Sequence, residues 1–106
     1  MASPEELLGE LTKRFRSDAA AGLDLVYQLD LTGEGGGVWH VAIANDECSL
    51  VPGAASRPDV VITMSAEDWE KLMTGQLDAY SAFLQGRIDV AGDLSLAMKL
   101  QSLFGL

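Results

Sequence analysis

Gly75-Gln76-Leu77-Asp78-Ala79-Tyr80-Ser81-Ala82-Phe83-Leu84-Gln85-Gly86-Arg87-Ile88-Asp89-Val90-Ala91-Gly92-Asp93 is the stretch on which the reading of this chain turns. Gly75, Gly86 and Gly92 cut it into short pieces, and between them the apolar spacing changes from helical to alternating and back to helical. The pattern predicts helix, turn, short helix, turn, strand, turn, helix. No piece can bury an apolar face alone, so all must fold over a sheet supplied by the first sixty residues.

Within the stretch, Asp78 is placed to cap a short helix through Gln85 with Tyr80, Phe83 and Leu84 as its apolar contacts. Arg87 to Ala91 predicts a short strand with Ile88 and Val90 on one face and Arg87 and Asp89 toward solvent. Asp93 then caps a last helix whose stripe is Leu96, Leu100 and Leu103, with Ala97, Met98 and Phe104 beside it. Immediately upstream, Asp59-Val60-Val61-Ile62-Thr63-Met64 is apolar at nearly every position, as suits a strand interior to the sheet or covered on both faces. Ser65 caps the helix that follows, with Asp68 in the capping-box place and Trp69, Leu72 and Met73 on its buried side. Gly75 stops it.

The N-terminal half supplies the remaining strands. Ser3-Pro4-Glu5-Glu6 starts a helix that runs to about Ser17 on the stripe Leu7, Leu8, Leu11 and Phe15, and Ala19 to Gly22 ends it. From Leu23 to Leu31 the period becomes two, with Leu25, Tyr27, Leu29 and Leu31 on one face and Gln28 and Asp30 on the other. A glycine-rich turn leads into Val38 to Ala44, where Trp39, Val41 and Ile43 alternate with His40, so the two strands form an antiparallel hairpin. Asn45-Asp46-Glu47 predicts a tight turn into a third strand, Cys48 to Val51, which Pro52-Gly53 breaks. A phosphate-binding role for the glycine run requires a helix directly after it, and a strand follows instead.

Composition narrows the function classes. At 106 residues the chain is read as one domain, residues 1–106, without repeat, linker or low-complexity tract. Sixteen acidic residues against seven basic give a net charge of -9, which repels phosphate backbones and anionic headgroups and argues against nucleic acid as a partner. No apolar run approaches the ~20 residues of a membrane span, and the glutamates among the first leucines do not suit a signal peptide. Stable membrane insertion is not expected. Phe104-Gly105-Leu106 is not a peroxisomal address, so a cytoplasmic location is the expectation. One histidine and one cysteine are too few for a nucleophilic or metal site: His40 reads as a solvent-facing or hydrogen-bonded strand residue and Cys48 as an inert one. Adjacent carboxylates, Asp46-Glu47 and Glu67-Asp68, diverge and read as solvated surface. No catalytic residue, metal or cofactor is expected.

Gly75-Gln76-Leu77-Asp78, Ala82-Phe83-Leu84-Gln85-Gly86-Arg87-Ile88, Val90-Ala91-Gly92-Asp93 and Leu96-Ala97-Met98-Lys99-Leu100 together resemble the C-terminal signature of the sterol carrier protein 2 family of lipid-binding domains. Upstream, Val38 to Ile43 and Pro58 to Ser65 with Asp68 and Trp69 stand in the order and spacing such domains show, so the likeness covers most of the chain. The resemblance implies an α+β two-layer sandwich: a five-stranded, mostly antiparallel sheet, helices over one face, and an apolar cavity between the layers. It implies a non-catalytic carrier of a lipid-like molecule, whether sterol, fatty acid, acyl-CoA or isoprenoid.

By spacing alone Met64, Leu72, Met73, Phe83, Leu84, Met98, Leu103 and Phe104 complete a core; with the resemblance they become candidates to line the cavity. The family's proline after the Asp78 position is absent, with Ala79 there, and its usually basic strand near Ile88 carries Asp89. Few cations beyond Arg87 and Lys99 remain for an acyl-CoA headgroup, which weakens that choice. Two other roles stay open. One is a cavity-poor accessory or dimerisation module, with a second copy of the chain over its exposed apolar surface. The other is a subunit that presents an apolar substrate to a separate lipid- or quinone-modifying enzyme.

Overall fold

The computed structural model describes residues 4–16, 18 and 22–104, with the side chains of residues 4–8 and 101 excepted. Along the chain lie α1 (Pro4–Lys13), β1 (Leu25–Thr32), β2 (Gly37–Ala44), β3 (Glu47–Pro52), β4 (Val60–Ser65), α2 (Ala66–Met73), α3 (Ala79–Leu84), β5 (Asp89–Gly92) and α4 (Leu94–Phe104). The strands form one sheet in the order β3-β2-β1-β4-β5. Three pairs are antiparallel and the central one, β1 with β4, is parallel, so the α+β sheet is mixed but mostly antiparallel.

Alternation places the side chains. Tyr27, Leu29 and Leu31 on β1, Val41 and Ile43 on β2, and Val60, Ile62 and Met64 on β4 are buried on the inner face. Against that face lie α2, on β1 and β4, and α4, on β4 and β5, while α1 rests on α2 and β3. Although β4 is apolar at most of its positions, Val61 and Thr63 are only half-buried. The run therefore marks an interior strand, paired on both edges, and not one covered on both faces.

Parallel pairing of β1 with β4 demands a long connection, because the chain leaves β3 at the sheet's edge and must re-enter beyond β1. Residues 53–59 make it across the outer face. Gly53 donates to the Val38 carbonyl (2.8 Å), His40 Nδ1 donates to the Gly53 carbonyl (2.9 Å), and Ala55 N–H donates to Gln28 Oε1 (3.0 Å). Asp59 closes it by donating its N–H to the Val26 carbonyl (2.9 Å) and accepting the Val26 N–H on Oδ2 (2.8 Å). His40 thus tethers a loop. Cys48 on β3 is half-buried, and burial pushes its thiol pKa up, away from the reactive thiolate.

The turns follow their residues. Asn45 and Asp46 both take positive φ (54° and 62°), the two-residue form that suits a twisted hairpin, and Glu47 already pairs with Ala44 in β3. β2 begins at Gly37, the last glycine of the run. The predicted extent of α1 is corrected: it stops at Lys13, short of Ser17. Arg14 and Phe15 donate to Leu11 and Thr12 carbonyls in a tighter turn, and Arg16 N–H goes instead to the Leu103 carbonyl (2.7 Å) as Phe15 packs on Phe104. The Ser3 cap and most of the Ala19 to Gly22 stop lie outside the described residues, as do the side chains of Leu7 and Leu8 of the expected stripe.

Gly92 closes β5 at φ 112°, and a Cβ there would stand 2.5 Å from the Asp59 carbonyl oxygen. Gly92→Ala is expected to destabilise the chain by about 1–3 kcal/mol from backbone strain alone. Thermal unfolding followed by circular dichroism should show a Tm lower by about 5–15 °C.

Candidate functional site

Three capped helices, the first two ended by glycine turns, roof the sheet. Ser65 Oγ accepts the Asp68 N–H (3.0 Å) at the start of α2, and Asp78 Oδ2 accepts the Ser81 N–H (2.9 Å) at the start of α3. Past α2 and α3 the chain turns at Gly75 and Gly86, with φ near 79° and 76°. Asp93 Oδ1 accepts from both the Ser95 hydroxyl (2.6 Å) and the Ser95 N–H (2.9 Å) ahead of α4. Those bonds, the hydroxyl's first, hold the Asp93 carboxyl below the usual carboxylate range.

Side-chain bonds fasten the roof to its base. The Tyr27 hydroxyl, on a ring only 1% exposed, donates to the Leu96 carbonyl (2.7 Å) and ties α4 to β1. Burial, and secondarily the Asp59 charge, pushes its pKa up to about 12. Arg14 Nη2 donates to the Met73 carbonyl (2.8 Å), joining α1 to the end of α2. Glu67 and Asp68 diverge to different partners, Lys71 (3.3 Å) and Arg87 (3.8 Å), both partly exposed pairs that add little to stability.

Between roof and sheet lies a cavity of about 350 Å³. Leu29, Ile62 and Met64 form its floor; Trp69 and Leu72 of α2 make one wall, and Ile88 and Val90 another. Ala79, Tyr80, Phe83 and Leu84 of α3 and Leu94, Ala97, Met98 and Leu100 of α4 complete it. The Trp69 ring is wholly buried, and its Nε1–H finds no acceptor among the described residues. Every lining side chain is apolar except for the Tyr80 hydroxyl and that indole N–H. Such a surface offers dispersion and the release of water, and no acid, base or nucleophile poised for chemistry at neutral pH. Among the described residues no group of three or more His, Cys, Asp or Glu could hold a metal ion, and no helix is long and apolar enough to cross a membrane.

The mouth lies between α3 and α4. Tyr80, Leu84, Leu94 and Met98 ring it, exposed by 55%, 66%, 44% and 53%. Of the large apolar side chains that are exposed among the described residues, only Val38 and Val51 lie elsewhere. A second, more open recess of about 390 Å³ adjoins the cavity, lined by Arg14, Met73, Thr74, Gly75, Leu77 and Asp78, and it shares Leu72 and Ala79 with the first.

The model of the SCP-2 sterol transfer family matches residues 6–105. The chain belongs to that family. It is 37% identical over 82 residues to hydroxysteroid dehydrogenase-like protein 2 of Danio rerio, covering 76% of this chain and 20% of the relative. Over 65 residues, 61% of this chain and 12% of the relative, it is 45% identical to sterol carrier protein 2 of Rattus norvegicus. The chain thus spans about a fifth or less of the length of these relatives. The solution structure of palmitated SCP2L2 from Aedes aegypti superposes with a TM-score of 0.78 at 26% identity, over 99% of this chain and 96% of that one. The SCP-2 architecture expected from the resemblance is the one found, an α+β sheet with helices on one face.

Of the eight residues singled out by sequence, Met64, Leu72, Phe83, Leu84 and Met98 lie on the cavity wall, and Met73, Leu103 and Phe104 lie off it. Those three need correcting. The last turn of α4 passes beyond the cavity, so Leu103 and Phe104 are sealed beneath the exit of α1, with Phe104 and Phe15 ring centres 5.5 Å apart. Met73 borders the second recess instead. The expected burial of α3 is also corrected, because Ala82 is its wholly buried residue while Tyr80 and Leu84 stand half out at the mouth. Leu29, Ile62, Trp69, Ile88, Val90, Leu94, Ala97 and Leu100 were not among the candidates, though alternation and helical spacing mark most of them as inward-facing. Inward-facing does not separate a residue against a neighbour from one against a space.

Because folding raises the Tyr27 pKa from 10.0 to about 12, the folded chain keeps this proton where the unfolded chain has released it. Its contribution is complete below pH 10.0 and is lost as pH climbs toward 12, at up to about 1.4 kcal/mol per unit. Tyr27→Phe is expected to cost about 1 kcal/mol at neutral pH and to flatten that alkaline decline. Urea unfolding of both proteins at pH 9 and pH 11 measures the two effects together.

Proposed function

We propose that this chain, as a single module over residues 1–106, binds the apolar part of a lipid-like molecule between sheet and helices and carries it without chemical change. The carrying observation is the cavity itself, apolar on every side and opening through an apolar rim. Membership of the SCP-2 family and the likeness to a palmitated relative support the same reading. A fatty acid suits the site well, and sterol and isoprenoid are the alternative ligands; acyl-CoA finds few cations near the mouth. A cytoplasmic carrier is the role in view.

Energetics favour occupation. Were the 350 Å³ left as an unrelaxed void, the cost at ~24 cal/mol per Å³ would be about 8 kcal/mol, comparable with the entire net stability of a domain. A chain of methylenes offsets this at about 0.8 kcal/mol each before ordering costs. Affinity then grows with buried length more than with polar contacts, and selectivity among polar head groups is weak.

A second reading draws on the relatives' length. In hydroxysteroid dehydrogenase-like protein 2 the matching region is only a fifth of the chain. A module of this kind beside an enzyme presents an apolar substrate to it, and the exposed rim of Tyr80, Leu84, Leu94 and Met98 is the surface a partner enzyme, or a second copy, would cover.

Organic extraction of the purified protein followed by mass spectrometry is expected to release a lipid, and a fluorescent fatty acid is expected to bind saturably. An empty extract together with no saturable binding would remove the carrier reading. Met98→Trp adds bulk at the mouth without entering the core, and is expected to weaken binding about ten-fold, the worth of roughly two buried methylenes. The circular dichroism spectrum should not change.

A further inference from the structure

Leu72 and Ala79 stand between two spaces. On one side is the apolar cavity of about 350 Å³; on the other is the recess of about 390 Å³ lined by Arg14, Thr74 and Asp78 as well as apolar groups. Leu72 lies in the last turn of α2 and is 8% exposed, and Ala79 is the first residue of α3. The loop between them is pinned, since Gln76 and Leu77 N–H both donate to the Lys71 carbonyl (2.8 and 3.1 Å) and Gly75 takes φ 79°. The partition is therefore held from both ends by backbone, yet it is only one leucine and one alanine thick.

We propose that Leu72 and Ala79 are the end stop that sets ligand size in this cavity. The proposal rests on the lipid-binding reading above and assigns that site a substrate class. At the density of an organic crystal a methylene fills about 25 Å³, so the cavity holds a single chain of about 14 carbons. A four-ring sterol has about twice as many carbons and needs, at that density, about twice the volume. It enters only if Leu72 turns aside and joins the cavity to the adjoining recess. With the partition closed the site selects single unbranched chains over sterols, and the mixed polar lining beyond discourages a chain's methyl end from pressing through.

The test is binding of saturated fatty acids of 10 to 20 carbons, and of cholesterol, by displacement of a fluorescent fatty acid from the delipidated protein. In the unaltered chain, affinity is expected to rise about four-fold per methylene up to about 14 carbons and then level off, with cholesterol weaker than the 14-carbon acid. Ala79→Leu thickens the partition and is expected to move the break about three carbons shorter. Leu72→Ala opens it, moving the break beyond 16 carbons and strengthening cholesterol relative to the 14-carbon acid. Should Leu72→Ala fail to fold, Ala79→Leu alone decides, because it adds atoms at a half-buried helix start and removes none from the core. A break that stays in place in the folded variants overturns the end stop and leaves lipid binding standing. No saturable binding by the unaltered chain at any length overturns both.

Discussion

One face of a five-stranded sheet has to be removed from water by helices too short to cover it. Tyr27, Leu29, Leu31, Val41, Ile43, Val60, Ile62 and Met64 all point to that face. Above them α2 has eight residues, α3 six and α4 eleven. At 1.5 Å per residue α3 is only about 9 Å long, less than two full turns. It makes no extended contact with any strand and closes the space as a bridge between α2 and β5. Glycines at 75, 86 and 92 force a change of direction after each piece, so no single helix lies along the sheet's length. What remains underneath is volume, and the lining follows from what borders it.

The roof is held at its margins. The Tyr27 hydroxyl grips α4 near its start, at Leu96, and the Arg16 amide grips its end at Leu103; Arg14 holds the end of α2. Each bond is made to a backbone carbonyl, two of them in the last turn of a helix where those groups lack intrahelical partners. Satisfying them with side chains or amides of distant elements fixes where each helix ends without filling the middle. The polar anchors thus lie outside the apolar wall, which is why the cavity can be dry-lined while the protein keeps its shape. The crossing loop does the same on the other face, where Gln28 and His40 hold residues 53–55 and free β4 to enter parallel to β1.

Much of this was readable from residues. Period-two alternation at Leu25 to Leu31 and at Trp39 to Ile43 identified strands and their inner faces, because a pleated strand half-buried on a core has no other pattern to show. Ser65, Asp78 and Asp93 announced helix starts through cap chemistry that is local by nature. The end of α1 was not readable: Arg14, Phe15 and Arg16 are competent helix residues, and the helix stops because Phe104 and the Leu103 carbonyl, some ninety positions away, take them. For the same reason Met73, Leu103 and Phe104 were indistinguishable by spacing from Met64, Leu72 and Met98, although Leu103 and Phe104 are packed solid, Met73 borders the second recess, and the others border the cavity.

Composition and periodicity, then, were enough to determine an acidic chain of mixed helix and strand, the order of its elements, and which side chains of β1 and β2 turn inward, since these depend on neighbours in sequence and on the geometry of strand and helix. Where those inward side chains meet an atom and where they meet a void was decided only by tertiary structure. A cavity is the difference between the area a sheet presents and the area its helices can reach. That difference is set by helix lengths, glycine turns and long-range bonds acting together, and no single stretch of residues contains it.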